Sequence, residues 1–207
     1  MGPVLDQGQV SGCTGWSGAD WLNAGHSITS RKAYNRIHRP GTPSADYLGN
    51  ADGLFIYEKA TLYDDLGWTY PPTDNGSTGL GVVKALQKMG VIAAYKWTFD
   101  FQTLLAYAQI QPILLGTTWT DAMMEPDSKG VLSTGGDAAI KKADDAGEGH
   151  EYTLIGGNFA TGLARIRNHW TSRWGLAGDA LIHLDDLETL VINYHGDVAV
   201  PEPLAAA

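Results

Sequence analysis

Asp6-Gln7-Gly8-Gln9-Val10-Ser11-Gly12-Cys13-Thr14-Gly15-Trp16-Ser17 is the stretch on which the reading of this chain turns, because Cys13 is the single cysteine among 207 residues. A thiol with no second cysteine closes no disulfide within the chain, so Cys13 is either a small core residue or a reactive group. Its neighbours favour reactivity. Small, flexible residues precede it, and Trp16, Ala19 and Leu22/Asn23 follow at helical spacing, with Gly25 as a stop. The pattern predicts a helix over 13–25 with the sulfur in its first turn, where unpaired backbone N–H groups and the helix dipole lower a thiol's pKa.

Outward from that helix the chain changes character. Residues 26–50, with Arg31-Lys32, Arg36, Arg39-Pro40-Gly41 and Pro43, read as a helix end followed by a surface loop, solvated or able to dock a partner. Helices are predicted over 51–66, where Leu54, Phe55 and Tyr57/Glu58 give an apolar face, and over 78–89, stopped by Gly90. The turn-rich run 68–77 separates them. Val91, Ile92 and Tyr95 start an extended piece, 103–108 is a short helix and 112–119 a buried strand. Residues 133–149 read as loop, strands follow at 152–158, 163–168 and 180–183, and 201–207 reads as a loose tail. The expected class is α+β, mainly helical over 1–102 and strand-rich over 103–207.

With 43% hydrophobic residues the chain can bury a substantial core, and its formal charge of −9 disfavours nucleic-acid phosphates and anionic membranes as partners. No apolar run approaches the roughly 18 residues of a membrane span, and no signal-peptide pattern opens the sequence. A fold without disulfides suits a reducing cytosol, bacterial or of a phage-infected host, better than a secreted setting. No cofactor is implied, and no metal: a lone cysteine offers no thiolate pair, and His150-Glu151 has no histidine four residues on.

Two further segments give Cys13 its partners. His150 lies in Gly149-His150-Glu151-Tyr152-Thr153-Leu154-Ile155-Gly156-Gly157, and Asn168 in Ile166-Arg167-Asn168-His169-Trp170-Thr171-Ser172-Arg173-Trp174-Gly175. Together with the segment around Cys13 they resemble, in order and spacing, the three motifs of the papain-like (family C1) cysteine peptidases, here of a bacterial or phage type without disulfides. The resemblance spans most of the chain and implies that the helical and strand-rich halves are two lobes with a cleft between them, the first carrying a central nucleophile helix and the second β-barrel-like. It implies a thiol protease acting through a thioester acyl-enzyme. Cys13 would be the nucleophile, His150 its proton carrier and Asn168 the group orienting the ring. Gln7, six positions before Cys13, and the Cys13 backbone N–H would receive the oxyanion. Trp170 would shield the Asn–His bond with Trp174 behind it, and Gly76, Ser77 and Glu151 would contact a peptide or protein substrate.

Some positions depart from the family pattern. Thr14 stands where a Trp is usual, and His169 follows Asn168 in place of a Ser, either as a surface residue or as a second imidazole perturbing the site. Glu151 replaces a small residue at the wall of the specificity pocket; it either selects Lys or Arg two residues before the cut or is satisfied locally. Two other functions fit the same pattern: a peptidoglycan hydrolase or amidase with a papain-like core, and a catalytically silent peptide-binding or structural domain. Oligomeric state is not legible.

Overall fold

The computed structural model describes residues 1–158 and 160–206; Ala207, the last residue of the expected tail, lies outside them. Four helices come first: α1 (Cys13–Asn23), α2 (Ile28–His38), α3 (Asn50–Ala60) and α4 (Gly79–Lys88). Then follow β1 (Ile92–Trp97), α5 (Phe101–Ala108), β2 (Ile113–Thr118), α6 (Asp137–Asp145), β3 (Gly149–Asn158), β4 (Leu163–Arg167), β5 (Asp179–His183), α7 (Leu184–Glu188) and β6 (Asp197–Pro203). The strands form one sheet of six in the order β1-β6-β2-β3-β4-β5, every pair antiparallel.

α1 is buried along nearly its whole length, which removes it from the usual amphipathic pattern. It packs on α3 so closely that a Cβ on Gly15 would fall 2.3 Å from the Gly53 carbonyl oxygen, and one on Gly53 would strike the Trp16 ring. Glycine at both positions is what lets the helix axes approach. Trp16, Trp21, Leu22, Ile56, Tyr57, Val82, Val83 and Leu86 fill the space between α1, α3 and α4. On β2, Leu114 faces this helical cluster whereas Ile113 and Leu115 join Tyr152, Leu154, Ile166, Ile182 and Val198 in a second core, so period-two alternation buries the strand on both faces. Trp21 Nε1 donates to the Pro112 carbonyl at 3.0 Å, tying α1 to the start of β2.

Three expectations for local structure are corrected. The run expected as surface loop contains α2, and its Arg31 is buried with Nη1 donating to the Asn23 carbonyl at 2.9 Å. Its charge caps the C-terminal end of α1, a use of arginine that helix-breaker counting does not detect. The run 133–149 contains α6, a mostly exposed helix anchored by buried Ile140 and Ala143. The expected tail begins as strand: Pro201 and Pro203 lie in β6, and Gln111 Nε2 donates to the Pro201 carbonyl at 3.2 Å.

Asp20, in the middle of α1, is buried with neither carboxylate oxygen partnered among the described residues. Burial raises its pKa well above the ordinary value, only partly opposed by Arg167. Unfolding therefore releases a proton once the pH exceeds the unfolded value of about 4, and stability falls as pH rises from there until the folded group itself ionises. Asp20→Asn should raise the stability to urea unfolding at pH 7 by about 1 kcal/mol or more, and the gain should vanish below about pH 4, where Asp20 is protonated in both states.

Candidate active site

A cleft of about 720 Å³ is lined by Gln7, Cys13, Gly76, Ser77, His150, Glu151 and Asp197, among others. Cys13 is the first residue of α1, so its backbone N–H lacks an intrahelical acceptor. His150 is the second residue of β3, opposite Thr117 of β2. The tight packing of α1 on this sheet puts a helix start and a strand start on one cleft.

The ring of His150 is held from behind. Its Nε2 lies 2.9 Å from Asn168 Oδ1, and the same oxygen accepts the His169 backbone N–H at 2.8 Å. An oxygen that already accepts one N–H faces a donor, so the proton sits on Nε2 and Nδ1 is left as the basic nitrogen. Asn168 is fully buried. Trp170 packs on the imidazole with centroids 4.7 Å apart and a tilt of 33°, and Trp174 meets Trp170 edge-on at 5.7 Å. Trp119, just after β2, meets the imidazole edge-on at 4.8 Å and Trp170 at 5.7 Å.

Gln7 reaches this group through backbone pairing. Its N–H donates to the His169 carbonyl at 3.0 Å, Thr171 N–H donates to the Leu5 carbonyl at 3.1 Å, and Asp6 pairs with Trp170 in a short antiparallel bridge. The side chain is oriented as well: Trp170 Nε1 donates to Gln7 Oε1 at 3.2 Å, and Gln7 Nε2 donates to the Val10 carbonyl at 2.8 Å. One amide N–H of Gln7 remains for another acceptor.

Desolvation opposes the expected helix activation of the thiol, although Cys13 itself is only half-buried. The Glu151 and Thr14 N–H groups act to lower the Cys13 pKa, yet burial outweighs them and pushes the thiol up to about 12. Burial likewise pushes His150 down to about 4, against the Asn168 hydrogen bond that raises it. Each group alone is neutral at pH 7. Passing the thiol proton to the imidazole creates two opposite charges together, so each offsets part of the other's desolvation, which neither could do singly.

The remaining residues are placed as follows. Gly76 N–H donates to Tyr57 Oη at 3.1 Å, so pairing with a substrate there requires breaking that bond. Ser77 Oγ donates to Asp64. Glu151 is buried, and its Oε2 lies with Asp197 over Gly116, where a Cβ would fall 2.5 Å from Asp197 Oδ1 and 2.7 Å from Glu151 Oε2. Gly116 N–H donates to Asp197 Oδ1 at 3.0 Å. Burial first, then the neighbouring carboxylate, raises Glu151 well above the ordinary range, and burial also raises Asp197. Glu151 Oε1 has no partner among the described residues. The first of the two readings of His169, a surface residue, is corrected: the side chain is fully buried, with its centroid 5.1 Å from that of His150.

Asp197 and Trp119 were missed in the sequence. Asp197 opens β6 in no motif, and only strand pairing carries it to Gly116. Trp119 could have been found by register, since β2 runs antiparallel to β3 and its end faces His150. Among the described residues no group of three or more His, Cys, Asp or Glu is arranged to hold a metal ion.

No family model matches the chain, and no curated protein matches it in sequence. Solved structures match its fold. Xylellain, a cysteine protease from Xylella fastidiosa, has a TM-score of 0.55 at 17% identity, over 98% of this chain and 83% of that one. The bromelain protease from Ananas comosus, solved with the E64 inhibitor, has a TM-score of 0.50 at 13% identity, covering 98% of this chain and 94% of that one. A cysteine protease from Carica candamarcensis, solved with E-64, has a TM-score of 0.51 at 16% identity, covering 98% and 93%. The architecture is the papain-like α+β fold that the three motifs led us to expect.

The electrostatics predict that Cys13 owes its reactivity to His150. In His150→Ala, alkylation of the native protein by iodoacetamide at pH 7 should slow by roughly 100-fold or more. The residual rate should keep rising with pH into the alkaline range, as a thiol with a raised pKa requires.

Proposed function

We propose that this protein is a thiol protease that hydrolyses peptide bonds through Cys13, His150 and Asn168. The observation that carries the reading is the His150 Nε2–Asn168 Oδ1 bond, sealed under Trp170, on a ring that shares its cleft with the helix-starting Cys13. Such an arrangement leaves Nδ1 free to take the Sγ proton, and the thiolate then attacks the peptide carbonyl carbon. The carbonyl electron pair moves to oxygen, which the free Gln7 N–H and the Cys13 backbone N–H receive; one such donor supplies about 3 kcal/mol of transition-state stabilisation. Collapse expels the amine, protonated by the His150 imidazolium, and leaves a thioester on Cys13. Water, losing its proton to His150, attacks the thioester and releases the acid and the thiol. No cofactor enters the sequence.

The substrate preference follows from Glu151 and Asp197. Burial raises both groups, and the neighbouring Asp197 raises Glu151 further, so the two carboxyls titrate as a coupled pair. A pair holding one proton is a net anion in a partly dry pocket, and a Lys or Arg side chain two residues before the cut is its complement. Both raised groups ionise further as pH rises, so the preference should strengthen with pH.

The purified protein should cleave casein, bind an epoxysuccinyl thiol reagent at Cys13, and lose both properties in Cys13→Ala. Release of peptidoglycan fragments without casein cleavage would replace this reading with a cell-wall amidase, and failure to label would replace it with a silent domain. In matched peptides, kcat/KM should favour Arg over Leu two residues before the cut at pH 8. Glu151→Gln with Asp197→Asn should reduce that ratio about tenfold, or about 1.4 kcal/mol. A ratio unchanged in the double variant removes the specificity assignment and leaves the catalytic one standing.

A further inference from the structure

His169 has no place in the reaction above, yet its fully buried side chain bridges the two elements that carry the reacting groups. Its Nε2 lies 3.0 Å from the Glu151 carbonyl oxygen on β3 and 3.2 Å from Ser17 Oγ, one helical turn beyond Cys13 on α1. A carbonyl oxygen cannot donate, so Nε2 carries the proton and shares it between the two oxygens. Nδ1 is buried without a partner among the described residues, which suits a bare lone pair far better than a second N–H. The ring is therefore the neutral Nε2–H tautomer, and burial, with His150 nearby, lowers its pKa well below the ordinary value.

The register of the sheet explains why a side chain is needed there. Pairing of β3 with β4 runs only from Thr153↔Arg167 onward, so the backbone groups of Glu151 that point past the end of β4 have no ladder partner. The imidazole of His169 takes the carbonyl, and the Glu151 N–H acts to lower the Cys13 pKa. One residue thus lies between the nucleophile helix and the strand bearing the base, in place of the next ladder residue.

We propose that His169 is a positioning residue: its Nε2–H clamps the Glu151 carbonyl and Ser17, and so sets how the Cys13 sulfur meets both the Glu151 N–H and the ring of His150. The residue touches neither substrate nor reacting atoms. Its effect is on geometry, so it shows in kcat and in thiol reactivity and leaves KM nearly unchanged. This inference rests on the thiol-protease reading for its meaning in catalysis, but its primary readout does not require proteolysis.

The test compares His169→Ala, His169→Gln and Ser17→Ala with the parent for iodoacetamide alkylation of native protein at pH 7, thermal unfolding, and peptide hydrolysis. His169→Ala should lower the alkylation rate and kcat by roughly tenfold to a hundredfold, with KM within about twofold. His169→Gln, whose amide N–H can reach the same carbonyl, should recover to within about threefold of the parent. Overturning results are parental reactivity in a folded His169→Ala, or a folded His169→Gln as slow as His169→Ala. Should His169→Ala not fold, Gln and Ser17→Ala decide: a Gln variant slowed tenfold or more, or Ser17→Ala with parental rates throughout, also sinks the clamp. If the parent alkylates rapidly but cleaves no peptide, the protease reading fails while the clamp is still measured.

Discussion

Three consecutive buried or half-buried residues, Asn168, His169 and Trp170, hold the cleft together. Asn168 fixes the ring of His150, His169 reaches from its own loop to α1 and β3, and Trp170 covers the ring while orienting Gln7. Backbone pairing of residues 5–7 with residues 169–171 ties the start of the chain to the same loop. Side chains from the first fifteen residues and from the last third meet because this loop engages both. A rigid loop at a strand end is the economical place for such a role, since its neighbours β4 and β5 already pin its two ends.

On the proposed mechanism, the constraint explains why burial need not silence the site. Desolvation pushes Cys13 up and His150 down, and a looser arrangement would leave a neutral thiol beside a neutral ring. Charge separation within a fixed pair escapes much of that cost, because the field of each ion is met by the other and by oriented backbone N–H groups. Water entering between the imidazole and Asn168 would compete for the orienting bond, and the ring of Trp170, with Trp119 and Trp174 around it, occupies that approach.

Legibility in the sequence followed locality. The helix at Cys13 and the strand at His150 are short-range patterns, and the residues of the three motifs sit at the ends or starts of those elements, where spacing alone locates them. α2 was hidden because its buried Arg31, Tyr34 and Asn35 do not look like a hydrophobic stripe; polar groups there satisfy the end of α1 and the Ser44 and Asp46 carbonyls. β6 was hidden because Pro201 and Pro203 argue against strand, although Lys96↔Val200 and Tyr95↔Pro201 pairing holds them in the sheet. His169 and Asp197 belong to a third kind. Nothing within ten residues of either says what it touches, since Ser17, Glu151 and Gly116 arrive only through tertiary packing.

Buried polar atoms with no partner among the described residues include Thr14 Oγ1, Trp119 Nε1, Glu151 Oε1, Asn168 Nδ2 and His169 Nδ1, all in or beside the cleft. Each such atom forgoes stability on the order of 1–3 kcal/mol, and a core selected for stability alone would replace them with apolar groups. Their neighbours show why replacement is barred. The Asn168 amide must present its oxygen to His150, which strands its nitrogen; the His169 ring must present Nε2 to Glu151, which strands Nδ1. Two-ended polar side chains are being used at one end, and the unmet other end is the cost of fixing an imidazole and a helix start in a dry cleft.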